Sequence, residues 1–219
     1  MITPVKNIYC ISGLGADEKA FARINIPGYK LLHLTWIMPQ KNEPISQYAA
    51  RMAACINDEA PILMGLSFGG MMCIEIAKHK PGARLILLSS IQHRRQIPLW
   101  MRACGRLKLN QLIPIYSYSF LEPVQNKFIG VSTPAEKEMV RAYRKNVSIP
   151  YLRWAIHQVL NWQNNWQPPI IHHIHGDADK IFPIKNVQPD CVIKGGGHLM
   201  IMNKAVEVNQ LLQQLLLSN

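Results

Sequence analysis

Apolar residues follow two alternating rhythms along this chain. Short runs rich in Ile, Val and Leu occupy 5–11, 30–34, 61–66, 84–88, 169–175 and 190–194. Such near-continuous runs predict strands covered on both faces rather than strands with one wet side. Between them lie helical patterns. Ile45, Tyr48, Ala49, Met52, Ala53 and Ile56 recur at i, i+3, i+4, i+7, i+8 and i+11, one continuous stripe of an amphipathic helix. Residues 68–79 are apolar almost all round, which predicts a helix buried against a sheet and ended by Pro81-Gly82. Val208, Leu211, Leu212, Leu215 and Leu216 form a further stripe near the C-terminus. This alternation predicts an α/β protein with a doubly wound, mainly parallel six-stranded sheet.

One stretch breaks the rhythm. Residues 90–168 hold no convincing strand and are dense in Arg, Tyr and Trp. Thr133-Pro134-Ala135-Glu136 is a capping box with proline in the first turn, opening a helix to about residue 146. A second helix is expected over 150–162, with earlier helical turns around 99–109. A segment this long exceeds a structureless loop. It predicts a helical cap inserted between two core strands, leaving 1–89 and 169–219 as the core.

Charge singles out the same segment. The net charge is +11, and residues 92–168 carry 11 Lys or Arg against 3 acids. A basic surface attracts anionic partners. The segment nevertheless has no nucleic-acid-binding motif and no basic run beyond Arg94-Arg95, which excludes nucleic acid as the expected partner. A solvated basic face is the plain reading; an anionic substrate or an acidic membrane surface is the sharper one. No run approaches the roughly 20 apolar residues that span a bilayer, and the N-terminal residues read as a strand rather than a leader. Cysteines 10, 55, 73, 104 and 191 are scattered, odd in number and without a CxxC pair. Reduced thiols in a cytoplasmic protein are expected, with neither a disulfide framework nor a zinc site.

In a parallel sheet, ligands gather outside the carboxyl ends of the strands. Four of those ends carry chemistry: "SGLGAD" after the first strand, "GLSFGG" after the third, "HGDAD" after the fifth and "GGGHLM" after the sixth. Gly65-Leu66-Ser67-Phe68-Gly69 is a full G-x-S-x-G between a strand and a helix, the setting of a nucleophile elbow. A serine hydroxyl needs a base. Of the eight histidines, His198 follows three glycines on a loop at the same sheet edge as Ser67. His172, His173 and His175 form an H-H-x-H, but alternation sends His172 to the opposite face from the other two and no carboxylate or thiol spacing supports a metal. Asp177 and Asp179 both offer a carboxylate to orient the base. Gly13-x-Gly15 lacks the third glycine of a dinucleotide loop, with Glu18 in its place, so no cofactor is expected.

The order Ser, Asp, His, together with these motifs, resembles the α/β-hydrolase fold superfamily over essentially the whole chain. Asp179-Lys180-Ile181-Phe182-Pro183 is similar to the family's acid segment, an aspartate ahead of an apolar pair and proline, which favours Asp179 over Asp177. "ISGLGAD" resembles the family's oxyanion loop, with Ser12-Gly13 where His-Gly is usual. The resemblance implies a triad of Ser67, Asp179 and His198, oxyanion donors at the Leu14 and Phe68 amides, and a core without the family's first two strands. It implies a serine hydrolase of the carboxylesterase or thioesterase type acting on a small acyl substrate, one with an anionic tail if the basic cap takes part. Carbon–carbon bond hydrolysis by the same triad and a non-catalytic ligand receptor on the same fold remain the alternatives. Trp100, Tyr116, Tyr118, Phe120, Tyr143, Trp154 and Trp162 are the aromatic candidates for an acyl pocket or for the cap's own core.

Overall fold

The computed structural model of the chain describes residues 5–109 and 122–217. Six strands form one sheet: β1 (Lys6–Ile11), β2 (Tyr29–His33), β3 (Ile62–Leu66), β4 (Arg84–Leu88), β5 (Ile171–Gly176) and β6 (Cys191–Ile193). Their spatial order is β2-β1-β3-β4-β5-β6, and every neighbouring pair is parallel. The six strands lie where the apolar runs place them, differing by one or two residues at some ends. The two faces are filled by alternate residues. Tyr9, Ile11, Leu63, Leu85 and Leu87 face one apolar core, while Ile8, Cys10, Met64, Ile86 and Leu88 face the other. That two-residue period is why both sides of each strand had to be apolar.

Helices cover both faces. They are α1 (Ile45–Ala53), α2 (Phe68–Ala77), α3 (Leu99–Arg106), α4 (Glu122–Ile129), α5 (Pro134–Asn146), α6 (Ile149–Asn161), α7 (Met200–Asn203) and α8 (Ala205–Leu217). Every residue of α2 is buried, including Glu75, as its all-round apolar sequence requires. α1 and α2 join the first core, and Val208, Leu212 and Leu216 of α8 join the second. The described residues between β4 and β5 contain helices α3 to α6 and no strand.

The helical segment is fastened to the core by specific groups. Trp162 Nε1 donates to the buried Glu75 carboxylate at 2.7 Å, and Trp154 Nε1 donates to the Glu43 carbonyl at 2.7 Å. Gly105 lets α3 lie against the end of α6, since a Cβ there would stand 2.7 Å from the Leu160 carbonyl oxygen. The Thr133–Glu136 capping box opens α5 as its sequence predicts. Helix α4 has no counterpart in the sequence-based expectation. Among its residues only Asn126 is buried, and it is held by Arg144 Nη2 at 2.9 Å rather than by an apolar stripe. Among the described residues, no helix is long and apolar enough to cross a membrane.

Candidate active site

Ser67 stands between β3 and α2 with φ 54° and ψ −118°, a backbone region that costs a side-chain-bearing residue roughly 1–3 kcal/mol. Its backbone is held from several sides. The Ser67 N–H donates to the Leu88 carbonyl at 2.9 Å, and the Ser67 carbonyl accepts from Gly70 N–H at 2.9 Å and Ser90 Oγ at 2.7 Å. The flanking glycines answer to sterics. A Cβ on Gly65 would fall on the Gly69 backbone, and one on Gly69 would fall on the carbonyl oxygens of Ile11 and Ser12. The strained turn therefore exists only because the next helix can press its first residues against the end of β1.

His198 arrives from the loop after β6. Gly176, at the end of β5, has no room for a Cβ because the Gly196 carbonyl occupies that space. The turn between α4 and α5 braces the other side: Leu199 N–H donates to the Ile129 carbonyl at 3.2 Å, and Gly130 packs on Gly197. His198 Nε2 lies 2.8 Å from Ser67 Oγ, and its Nδ1 lies 2.8 Å from Asp179 Oδ2. Only 5% of His198 and 4% of Asp179 are exposed, so the bond between them is buried, while the one to the half-buried Ser67 is reached from the surface.

The direction of the bonds follows from Asp179. Burial pushes its carboxyl upward, but His198, His175 and the Phe182 amide outweigh that and hold it below the usual carboxylate range. Ile181 N–H and Phe182 N–H donate to Oδ1 at 2.8 and 2.9 Å. An ionised Asp179 only accepts, so Nδ1 of His198 carries the proton. Nε2 is then the acceptor for the Ser67 hydroxyl. Asp177, the alternative acid, has another partner: its Oδ1 accepts from the Gly195 N–H at 2.6 Å and fastens the glycine loop.

The loop after β1 completes the surroundings. Gly13 faces Ser67, its absent Cβ site being 3.5 Å from the Ser67 Cβ. A turn closed by Ala16 N–H on the Gly13 carbonyl, at 3.0 Å, leaves the Leu14 amide unused by that turn. Phe68 opens α2, so its N–H has no intrahelical acceptor. Ser12 braces the loop, donating from Oγ to the Ala16 carbonyl at 2.6 Å and accepting from Trp36 Nε1 at 3.1 Å. Trp36 stacks on Phe68 at 5.1 Å between ring centroids. The sequence reading missed Trp36 because one tryptophan in a loop carries no periodic signal.

Beside this loop lies a cavity of about 300 Å³ between the end of β2 and helices α5 and α6. Trp36, Met38, Tyr143, Val147 and Tyr151 give it apolar walls, and Asp17 and Glu18 are the carboxylates among its described lining residues. The aromatic candidates divide. Tyr143 lines this cavity, Trp154 packs on Tyr48 at 4.2 Å, Trp162 is buried, and Trp100 is 56% exposed. Tyr116, Tyr118 and Phe120 lie outside the described residues.

Comparison with solved structures identifies the architecture. A thermophilic esterase from Thermogutta terrifontis superposes with a TM-score of 0.73 at 14% identity, covering 98% of this chain and 90% of that one. A bromoperoxidase from Bacillus anthracis gives 0.70 at 15% identity, with 96% and 91% covered. An epoxide hydrolase from Bacillus megaterium gives 0.68 at 11% identity, with 96% and 93% covered. The chain has the α/β-hydrolase fold. No protein-family model and no curated protein matches its sequence. Proteins named for three different chemistries share the fold, so the chemistry has to be argued from the site.

Proposed function

We propose that the protein is a serine hydrolase that cleaves a small ester or thioester through an acyl-enzyme. The observation that carries this reading is the unbroken run from Ser67 Oγ through the His198 ring to Asp179, each link 2.8 Å, with Ser67 on a strained strand-to-helix turn. Ser67 Oγ attacks the acyl carbonyl carbon while His198 Nε2 takes its proton. The resulting oxyanion is met by the Leu14 and Phe68 amides, reinforced by the N-terminus of α2. His198 passes the proton to the departing alcohol or thiol, and the acyl group stays on Ser67. Water then attacks the acyl-enzyme, giving its proton to His198. Collapse releases the carboxylic acid and returns the proton to Ser67.

The cavity beside the loop after β1 suits a neutral acyl or alcohol group, although Ser67, Asp179 and His198 do not line it. Among the described residues it offers apolar walls and two carboxylates but no Lys or Arg. Of the cations of the helical segment, Arg94, Arg95, Arg106, Lys137, Arg141 and Arg153 are exposed and serve an anionic tail only at the outer surface, while Arg102 and Arg144 are half-buried.

The test is labelling with a fluorophosphonate probe, followed by a panel of esters and thioesters of graded chain length, neutral and carboxylate-tailed. Wild-type protein is expected to be labelled at Ser67. Ser67→Ala is expected to lose the label and at least about 10⁴-fold in turnover. Labelling retained by Ser67→Ala would remove the assignment. Turnover of carbon–carbon substrates, or ligand-dependent thermal stabilisation without any turnover, would replace it with the alternative activities.

A further inference from the structure

Two histidines of the H-H-x-H on β5 lie beneath Asp179, and the reaction described above does not use them. His173 and His175 point to the same side of the strand, and neither has any exposed surface. His175 Nε2 lies 2.8 Å from the Phe182 carbonyl oxygen. A carbonyl only accepts, so Nε2 carries the proton of a neutral His175 and Nδ1 is left with its lone pair. His173 Nε2 lies 3.1 Å from that Nδ1 and must donate to it. The pair is thus a directed chain from His173 to His175 to Phe182. Asp190 anchors its start, accepting from the His173 backbone N–H at 2.7 Å.

The end of the chain bears on the candidate acid. His175 Nε2 itself lies 3.4 Å from Asp179 Oδ2, the oxygen that faces His198, while its proton goes to the Phe182 carbonyl. Phe182, whose carbonyl His175 holds, also supplies one of the two amides on Asp179 Oδ1. His175 therefore grips, through the Phe182 carbonyl, the loop that orients the carboxylate. We propose that His175 is a positioning residue for Asp179, with His173 setting its tautomer. This rests on the serine-hydrolase reading.

The consequence is electrostatic as well as geometric. His175 faces Asp179, with His198 beyond it, together with His173 and the Phe182 carbonyl; His173 also meets the backbone of Ser90. Burial holds both imidazoles below their ordinary range, His173 at about 3, so they stay neutral donors while the enzyme works. Without the His175 N–H, the Phe182 carbonyl is released, the Phe182 amide is no longer held on Asp179 Oδ1, and the carboxylate becomes more basic. It then holds the His198 proton harder, and the acid limb of the pH profile moves to higher pH.

The experiment uses the full chain with His175→Leu, which removes the donor, and His175→Gln, whose amide N–H reaches the Nε2 position. Rates are measured from about pH 5 to about pH 9 on the best ester of the panel. His175→Leu is expected to lower kcat by about 10-fold or more with KM little changed, and to move the acid limb upward. His175→Gln is expected to restore both. Unchanged kcat and limb in His175→Leu, or equal losses in both variants without a limb shift, would overturn the positioning role. Nitrogen-15 NMR of the wild-type histidines reads the same claim without activity and without any variant that must fold. Neutral His173 and His175 protonated at Nε2 are expected, and a proton on Nδ1 of His175 would refute the chain. Failure of Ser67 to take the fluorophosphonate label, with these tautomers intact, would instead count against the serine-hydrolase reading alone.

Discussion

Asp179→Asn tests the orientation of the base by a change of one heavy atom. The direction of its effect is set by two backbone donors. Ile181 N–H and Phe182 N–H both donate to Oδ1, at 2.8 and 2.9 Å. An asparagine in this place must turn its carbonyl oxygen toward them, which puts its NH₂ where Oδ2 was. That NH₂ then faces His198 Nδ1, now 2.8 Å from the carboxylate oxygen, and can only donate to it. His198 is forced into the tautomer with the proton on Nε2, so a donor points at Ser67 Oγ where an acceptor is needed. Inverting the tautomer of a triad histidine in this way costs about 10⁴ in kcat, roughly 5.5 kcal/mol of transition-state stabilisation. Packing is nearly isosteric, so KM should change little. The assay is steady-state hydrolysis of the preferred ester, with the rate of fluorophosphonate labelling of Ser67 as a second readout. A variant within about 10-fold of wild type would refute the claim that Asp179 fixes the base.

Acid should destabilise the fold in two separate windows. His173 and His175 have folded pKa values depressed by burial, His173 to about 3, so the unfolded chain binds protons that the folded chain refuses. That binding favours unfolding progressively as pH falls below about 6.5, and denaturant midpoints should drop between about pH 7 and about pH 5. A flat midpoint over that range would contradict the buried neutral pair. Asp179, also depressed, contributes stability that is present above its unfolded pKa and lost only as pH falls through its lower folded value. Gly69→Ala should fail to fold or lose more than about 3 kcal/mol, because its Cβ would meet the carbonyl oxygens of Ile11 and Ser12. A soluble Gly69→Ala protein with wild-type thermal midpoint would show that the elbow can shift away from β1.

The sequence by itself determined the sheet. The near-continuous apolar runs predicted strands covered on both faces, which holds for the inner strands β1, β3 and β4, while the edge strands β2 and β6 stay partly exposed. The all-round apolar character of 68–79 likewise committed α2 to burial. G-x-S-x-G and the glycine-led His198 were legible as well, since a strained turn and a tight loop need particular residues at fixed local spacing, whereas the acid segment was picked out by its resemblance to the α/β-hydrolase family. Helix α4 was not legible, because its Glu122 and Asn126 are held by Arg141 and Arg144 of α5 rather than by an apolar stripe.

What only the tertiary structure decided is which groups meet. Asp177 and Asp179 are two residues apart, and only the family resemblance favoured Asp179 in the sequence. The packing of Gly176 against the loop after β6 gives Asp177 to the Gly195 amide and Asp179 to His198. The H-H-x-H looked idle until the turn at 181–182 brought a carbonyl and a carboxylate over His175. Trp36 acquired a place only when β2 delivered it beside Phe68 and Ser12. Local spacing fixes backbone shape because sterics act over a few residues. Hydrogen bonds among side chains tens of positions apart exist only once the sheet has set the distances between its strand ends.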